Sequence, residues 1–176
     1  MNYGTDIAYK PPFLYWSIAA ISAIFGGVSE FSSRLPSAIA FLAMQFVFFG
    51  FVARYKDTKT AVITSLLLLT SFEVHRAAVA CRLEMLQGSF IVISLSLLFR
   101  WDEKGCKGIP WTAVVLMACG TLTKGPVGSI FPCMCIGIYQ LIRGRSFGKT
   151  FLSLFGIGLL NLIPLGLLSY ASWLQG

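Results

Sequence analysis

Apolar residues fill the chain in long runs, and short clusters of charged residues separate most of these runs from one another. A membrane-spanning helix needs about 20 predominantly apolar residues, and several runs reach or approach that length. The pattern predicts an all-α, polytopic membrane helical bundle with about six transmembrane helices, in a single domain over residues 1–176. The runs expected to cross are residues 36–53, 60–72, 85–99, 108–123, 125–142 and 150–173.

The segment before the first of these runs has two open arrangements. Residues 11–29 carry no charge and are long enough to cross the membrane. Alternatively, they lie along the membrane surface as an amphipathic amino-terminal helix, with Phe13, Tyr15 and Trp16 as interfacial anchors. The sequence does not distinguish a spanning helix from an interfacial one.

The run at residues 60–72 is short for a membrane crossing. At 1.5 Å per residue it covers about 20 Å, whereas the hydrocarbon core is about 30 Å thick. We therefore expect its helix to continue through the polar stretch that follows. On such a helix Glu73 and Arg76 can pair, and His75 and Arg82 share a face.

The composition narrows the class of protein further. Apolar residues make up 56% of the chain and charged residues 12%, against roughly 45–50% and about 25% in soluble domains. This excludes a soluble enzyme, a secreted disulfide-rich module, a disordered chain and a DNA-binding domain.

The net charge of +7 is informative mainly through its distribution. Nine basic and three acidic residues fall on one predicted face of the bundle, for a local sum of +6, and the rest give +1 on the other. The positive-inside rule makes the first face cytoplasmic. The excess is thus a topology signal, and no nucleic-acid partner is expected. The basic clusters are Arg54, Lys56 and Lys59, then Arg100, Lys104 and Lys107, then Arg143, Arg145 and Lys149.

The cysteines do not point to a metal or disulfide site. No two of the five cysteines have C-x-x-C spacing, and His75 is the single histidine. The sequence therefore identifies no zinc site and no disulfide framework. The cofactor stays unknown, and whether a divalent metal is required is left open.

Four cations on the predicted outer face are candidates for a binding site, because ionisable groups next to lipid are costly and often functional. Lys10 precedes two prolines that stiffen the chain, and Lys124 precedes Gly125 and Pro126 at a reversal of the chain. Cations that share one face and have few counter-ions are suited to binding a phosphate or pyrophosphate group at the membrane surface. The four residues are Lys10, Arg34, Arg82 and Lys124.

The same residues belong to strings that resemble the polytopic GT-C glycosyltransferases. The strings are KPPFLYW at 10–16, SRLPSA at 33–38, RLEML at 82–86 and LTKGPV at 122–127. Their order and approximate spacing are similar to those of the bacterial branch that includes the aminoarabinose lipid A transferase and relatives of the protein O-mannosyltransferases. The resemblance covers nearly the whole chain, but only the amino-terminal part of such an enzyme.

The resemblance implies transfer of a sugar from a polyprenyl-phosphate carrier to a lipid or protein acceptor. The reaction would take place on the outer face of the bacterial cytoplasmic membrane, in which the protein would be multi-pass. By motif position, Lys10, Arg82 and Lys124 would face the carrier phosphate. Glu84 takes the place of the family's usual aspartate and is the candidate catalytic carboxylate.

The resemblance also implies that part of the family pattern is absent from these 176 residues. Family members begin with a transmembrane helix and an outer loop that carries the expected catalytic carboxylate, and the K-P-P string follows some tens of residues later. Asp6 lies too close to Lys10 to match that carboxylate. We therefore expect a chain that lacks the first helix and is inactive alone, or a non-catalytic membrane protein that binds a lipid-linked phosphate. A transporter is disfavoured, because no ionisable residue lies in mid-span.

Overall fold

Residues 12–175, which a computed structural model describes, form eight α-helices. The all-α prediction is confirmed for this part of the chain. The helices are α1 (Phe13–Ile24), α2 (Glu30–Tyr55), α3 (Thr58–Thr70), α4 (Phe72–Val79), α5 (Leu83–Glu103), α6 (Trp111–Lys124), α7 (Val127–Ile142) and α8 (Phe147–Gln175).

Polar caps begin two of these helices. The Ser29 hydroxyl accepts from the amide of Ser32, and the Ser32 hydroxyl accepts from the amide of Ser29, so α2 starts with a reciprocal capping box. Asp57 caps α3 by accepting from the Thr60 amide at 2.8 Å. That hydrogen bond holds the pKa of the Asp57 carboxyl below its ordinary value.

The connections between helices gather at two ends of the bundle. At one end, the Tyr55 hydroxyl contacts the Glu103 carboxylate, and Arg145 lies 3.0 Å from Asp102. These contacts bring together the ends of α2, α5 and α7, where the three basic clusters lie. We call this the basic end, and the end where α2, α5 and α7 begin the opposite end.

Among the fully described helices, two are long and apolar enough to cross a membrane, α2 with 26 residues and α5 with 21. The α3–α4 pair is a third candidate if it counts as one broken span. The described residues thus provide two or three spans by length and hydropathy, fewer than the six predicted. Helices α6 and α7 have 14 and 16 residues, or about 21 and 24 Å.

The helix predicted to run on past residue 72 breaks instead. Ser71 is extended, with φ −65° and ψ 117°, and α4 leaves α3 at an angle of 65°. Glu73 and Arg76 do pair on α4, at 2.7 Å, as predicted. The shared face predicted for His75 and Arg82 is wrong, because α4 ends before Arg82 and the chain is extended there.

Helix α1 lies across the opposite end of the bundle. Near its start, Leu14 is buried against Leu83 and Leu86 in the first turn of α5. Near its end, the Ser22 hydroxyl donates to the hydroxyl of Ser32 in the first turn of α2, at 3.1 Å. Both ends of this helix contact first turns at the same end of the bundle, and at about 18 Å it is much shorter than α2 and α5, so it does not run alongside them to the basic end.

Helix α5 lies at the centre and carries much of the buried surface. The largest buried cluster joins it to α6, α7 and α8 near the basic end, and a smaller cluster joins it to α1 at the opposite end. Burial of apolar side chains on several sides of α5 holds its two ends in fixed positions relative to the neighbouring helices. The largest cluster contains Leu98, Trp101, Ala113, Val114, Met117, Ile136, Leu154 and Ile157.

Candidate functional site

The structure brings three of the four predicted cations to the opposite end of the bundle. Arg34 lies in the second turn of α2, Arg82 precedes α5, and Lys124 is the last residue of α6. Glu84, the predicted carboxylate, lies in the first turn of α5. Lys10 lies outside the described residues.

Lys124 and Glu84 form an ion pair between helices. The Lys124 ammonium nitrogen lies 2.9 Å from a Glu84 carboxylate oxygen, although the two residues are 40 positions apart in sequence. Their side chains are 46% and 55% exposed. Solvent screens such a pair, so it stabilises the fold by no more than about 1 kcal/mol. Little free energy is therefore needed to separate the pair when another anion binds Lys124.

Arg34 also has a carboxylate partner. Its guanidinium contacts Glu30 one helical turn earlier in α2, and both side chains are largely exposed. The sequence predicted cations with few counter-ions, and for Arg34 and Lys124 that prediction is wrong. Arg34 is paired with Glu30, one turn away in the same helix, and Lys124 is paired with Glu84 on a neighbouring helix.

Arg82 differs from the other two cations. Its side chain is half-buried, and no ion pair in the described part of the chain includes it. Its backbone carbonyl accepts a long hydrogen bond, 3.5 Å, from the buried Ser37 hydroxyl of α2. The backbone at Arg82 is thus tied to α2, two residues before Glu84.

Lys124 is held at the tip of a tightly packed hairpin formed by α6 and α7. Gly125 turns the chain with φ +108°, a conformation that favours glycine. Behind the turn the helix backbones touch at Gly120 and Gly128, and a Cβ on Gly128 would lie 2.6 Å from the nitrogen of Thr121. The buried hydroxyls of Thr121 and Ser129 are hydrogen-bonded to each other. The close packing of α6 against α7 therefore restricts the movement of the backbone that carries Lys124.

Sequence reasoning missed these supporting residues. Gly120 and Gly128 flank the K-G-P string, and small residues at such positions allow transmembrane helices to approach closely. The position of these two glycines on either side of the string is the sequence signal that could have identified them. It does not reveal which helix faces the glycines, because that depends on tertiary packing.

The arrangement suits phosphate binding. Arg82 and Lys124 present cationic hydrogen-bond donors at one end of the bundle, and charge-assisted bonds to phosphate are stronger than bonds between neutral groups. Because Glu84 is the ion-pair partner of Lys124, an anion that displaced it from Lys124 would lie next to the Glu84 carboxylate. Among the described residues, no three His, Cys, Asp or Glu side chains group closely enough to hold a metal ion.

Comparison with known proteins gives a family match over most of the chain. The family described as dolichyl-phosphate-mannose-protein mannosyltransferase matches residues 9–168. Two relatives from Aquifex aeolicus, both described as uncharacterized proteins, are 29% identical over 135 residues and 37% identical over 138 residues. Each match covers 76% of this chain, but only 27% and 30% of the respective relatives. The chain therefore spans less than a third of their length. No solved structure matches it significantly.

Proposed function

The chain belongs to the dolichyl-phosphate-mannose-protein mannosyltransferase family, and we propose on that basis that it holds the phosphate of a polyprenyl-phosphate-linked sugar during glycosyl transfer. The family confirms the resemblance to GT-C glycosyltransferases expected from the four motif strings. The observation that carries the proposal is the Lys124–Glu84 ion pair, at the same end of the bundle as Arg82, which forms no ion pair within residues 12–175. This ion pair places the proposed phosphate-binding cation, Lys124 of α6, next to the proposed catalytic carboxylate, Glu84 of α5.

The donor phosphate binds by replacing Glu84 on Lys124. The phosphate of the donor is a diester with one negative charge, like the carboxylate that it replaces, and the exposed ion pair that it displaces is weak. Arg82 is a second donor on the same end of the bundle. The replacement frees the Glu84 carboxylate next to the bound donor. Lys10 is proposed as a further phosphate contact from its place in the K-P-P string, whereas Arg34 is satisfied by Glu30.

In the transfer step, an acceptor hydroxyl attacks the anomeric carbon of the sugar. The bond from that carbon to the phosphate oxygen breaks, and the new glycosidic bond forms. Glu84 takes the proton of the acceptor hydroxyl as general base. Arg82 and Lys124 stabilise the charge that develops on the departing polyprenyl phosphate. The acceptor is a lipid or a protein.

For the membrane arrangement we propose six crossings, by α2, the α3–α4 pair, α5, α6, α7 and α8. Their alternation supports this, since it collects the basic clusters at one end, which the positive-inside rule assigns to the cytoplasm. The candidate site then faces the outside of the bacterial cytoplasmic membrane. Helix α1 lies along the outer interface, with the exposed rings of Tyr15 and Trp16 as anchors.

Binding of polyprenyl phosphate to the purified protein tests this proposal. We expect Lys124→Gln and Arg82→Gln each to weaken binding about tenfold or more, because each removes a charge-assisted hydrogen bond of about 1.5–3 kcal/mol. Lys104→Gln removes the same charge at the basic end and is the matched control. Equal affinities in all four proteins would remove the phosphate site from this end of the bundle.

A second candidate is a non-catalytic membrane protein that binds a lipid-linked phosphate. It is favoured by the engagement of Glu84, whose carboxylate is neutralised by Lys124 in the absence of ligand. The two candidates differ in the Glu84→Gln variant. In a glycosyltransferase this variant binds the donor but transfers no sugar, whereas a carrier-binding protein transfers none with either residue.

A further inference from the structure

A cavity of about 470 Å³ lies between α2 and α5 at the basic end, far from the candidate phosphate site. Its volume is within the range of about 300–1,000 Å³ that is typical of small-molecule sites. Two arginines line it, Arg54 in the last turn of α2 and Arg100 in the last turn of α5. Neither the family match nor the motif strings assign a role to this cavity.

The two guanidinium groups have no carboxylate partner within residues 12–175. Both side chains are exposed. The basic end contains three acidic residues, and each of them has a hydrogen-bond partner other than these two arginines. Asp57 accepts hydrogen bonds from the amide and hydroxyl of Thr60 at the start of α3. Arg54 and Arg100 therefore remain available to an external anion.

The other two carboxylates at this end have hydrogen-bond partners of their own, and in the described residues neither forms an ion pair with Arg54 or Arg100. Asp102 is nearly buried, and it accepts from Gln140 at 2.7 Å and from Arg145 at 3.0 Å. Glu103 accepts from the hydroxyl of Tyr55, which lines the cavity. The negative charge nearest to the cavity is thus already paired with a hydrogen-bond donor.

The walls of the cavity are mainly apolar away from its arginines. Phe51 and Leu97 lie about one helical turn further from the basic end than the arginines, and Gly50 leaves open space where a side chain would stand. A compartment with cations near the helix ends and hydrocarbon walls below matches a phospholipid, with its phosphate outermost and its acyl chains alongside the helices. Basic pockets between transmembrane helices on the cytoplasmic side bind the headgroups of anionic lipids.

We propose that this cavity binds the headgroup phosphate of an anionic phospholipid from the surrounding bilayer, through Arg54 and Arg100. The site is independent of the proposed glycosyl transfer, because it lies at the other end of the bundle and uses none of the same residues. Its ligand is a structural lipid rather than the sugar donor. Binding would add a further link between α2 and α5 at the basic end, where Tyr55 contacts the Glu103 carboxylate and the Phe99 ring.

The test measures the thermal unfolding of the full chain in detergent, since a ligand that binds the native state raises the midpoint. The probes are dioctanoyl phosphatidylglycerol, dioctanoyl phosphatidylcholine and inorganic phosphate. We expect phosphatidylglycerol to stabilise the wild type at concentrations where the other two have no effect. The double variant Arg54→Gln/Arg100→Gln should lose at least tenfold in affinity. The matched control Lys104→Gln/Lys107→Gln removes the same charge from exposed lysines outside the cavity and should bind as the wild type does.

A second pair of variants tests the cavity without changing any charge. Gly50→Leu fills open space beside the cavity, and we expect it to abolish the stabilisation by phosphatidylglycerol. Gly156→Leu, which also enters open space but lines none of the described cavities, is its control. Equal losses of affinity in Arg54→Gln/Arg100→Gln and Lys104→Gln/Lys107→Gln would overturn the proposal, because the total positive charge of the basic end would then explain the binding. Full binding by Gly50→Leu would overturn it as well, as would equal stabilisation by inorganic phosphate.

Discussion

Replacing Gly128 with alanine tests whether direct backbone contact between α6 and α7 positions Lys124. The added Cβ would lie 2.6 Å from the Thr121 nitrogen, whereas ordinary van der Waals contacts begin at 3.4 Å. Helix α7 must therefore retreat by about 1 Å, and overpacking of this kind costs about 1–3 kcal/mol. Separation of the helices also strains the hydrogen bond between Thr121 and Ser129, worth about 1 kcal/mol. We expect a total loss of about 2–4 kcal/mol in the free energy of unfolding.

Two other glycines provide a graded control for this measurement. A Cβ on Gly120 would meet Phe90 at 3.3 Å and Gly128 at 3.5 Å, so Gly120→Ala should cost less than about 1.5 kcal/mol. A Cβ on Gly88 meets nothing within 4 Å, so Gly88→Ala should be neutral or stabilise α5 by up to about 1 kcal/mol. The assay is reversible unfolding in mixed micelles by titration with SDS. A Gly128→Ala protein as stable as Gly88→Ala would refute the close approach of the two helices.

Three further predictions concern the two ends of the bundle. Asp102→Ala should lower the free energy of unfolding by about 1–3 kcal/mol, measured by the same titration, because buried Gln140 loses its charged acceptor and keeps only the weaker acceptor Cys106 Sγ; a loss below about 0.5 kcal/mol would contradict this. A membrane-impermeant maleimide applied to intact cells should label exposed Cys81 but not Cys106, which lies at the other end and whose thiol pKa is raised by burial; labelling of Cys106 alone would invert the proposed topology. Glu84→Gln should bind polyprenyl phosphate several-fold more tightly than the wild type, since the competing carboxylate is gone; weaker binding would mean that the carboxylate helps to hold the phosphate.

The all-α architecture follows from the sequence because long apolar runs in a membrane protein leave few alternatives to helices. The break at Ser71 does not follow from it. Apolar runs with little polar periodicity do not show where a helix bends, and Thr70 and Ser71 are small polar residues that a continuous helix also accommodates. The number of crossings is equally hard to predict, because α6 and α7 are each two residues shorter than the apolar runs 108–123 and 125–142 that predicted them.

The candidate site was predictable in its location and less so in its contacts. Alternation of the helices is sufficient to bring Arg82, Glu84 and Lys124 to one end. The ion pair across 40 residues depends on how α5 packs against α6, which no local pattern reports. The cavity between Arg54 and Arg100 was missed for a related reason. Both arginines were assigned to the topology signal of their clusters, and only the packing of α2 against α5 shows that they line one compartment.

The central claim is that the opposite end of the bundle holds the phosphate of a polyprenyl carrier. It is tested most directly by photocrosslinking the purified protein with a short polyprenyl phosphate that carries a diazirine next to the phosphate, followed by mapping of the modified peptides. We predict adducts in residues 82–86 and 122–127 that are lost when unmodified polyprenyl phosphate competes. Adducts confined to the basic end, or adducts at the candidate site that excess polyprenyl phosphate does not remove, would contradict the claim.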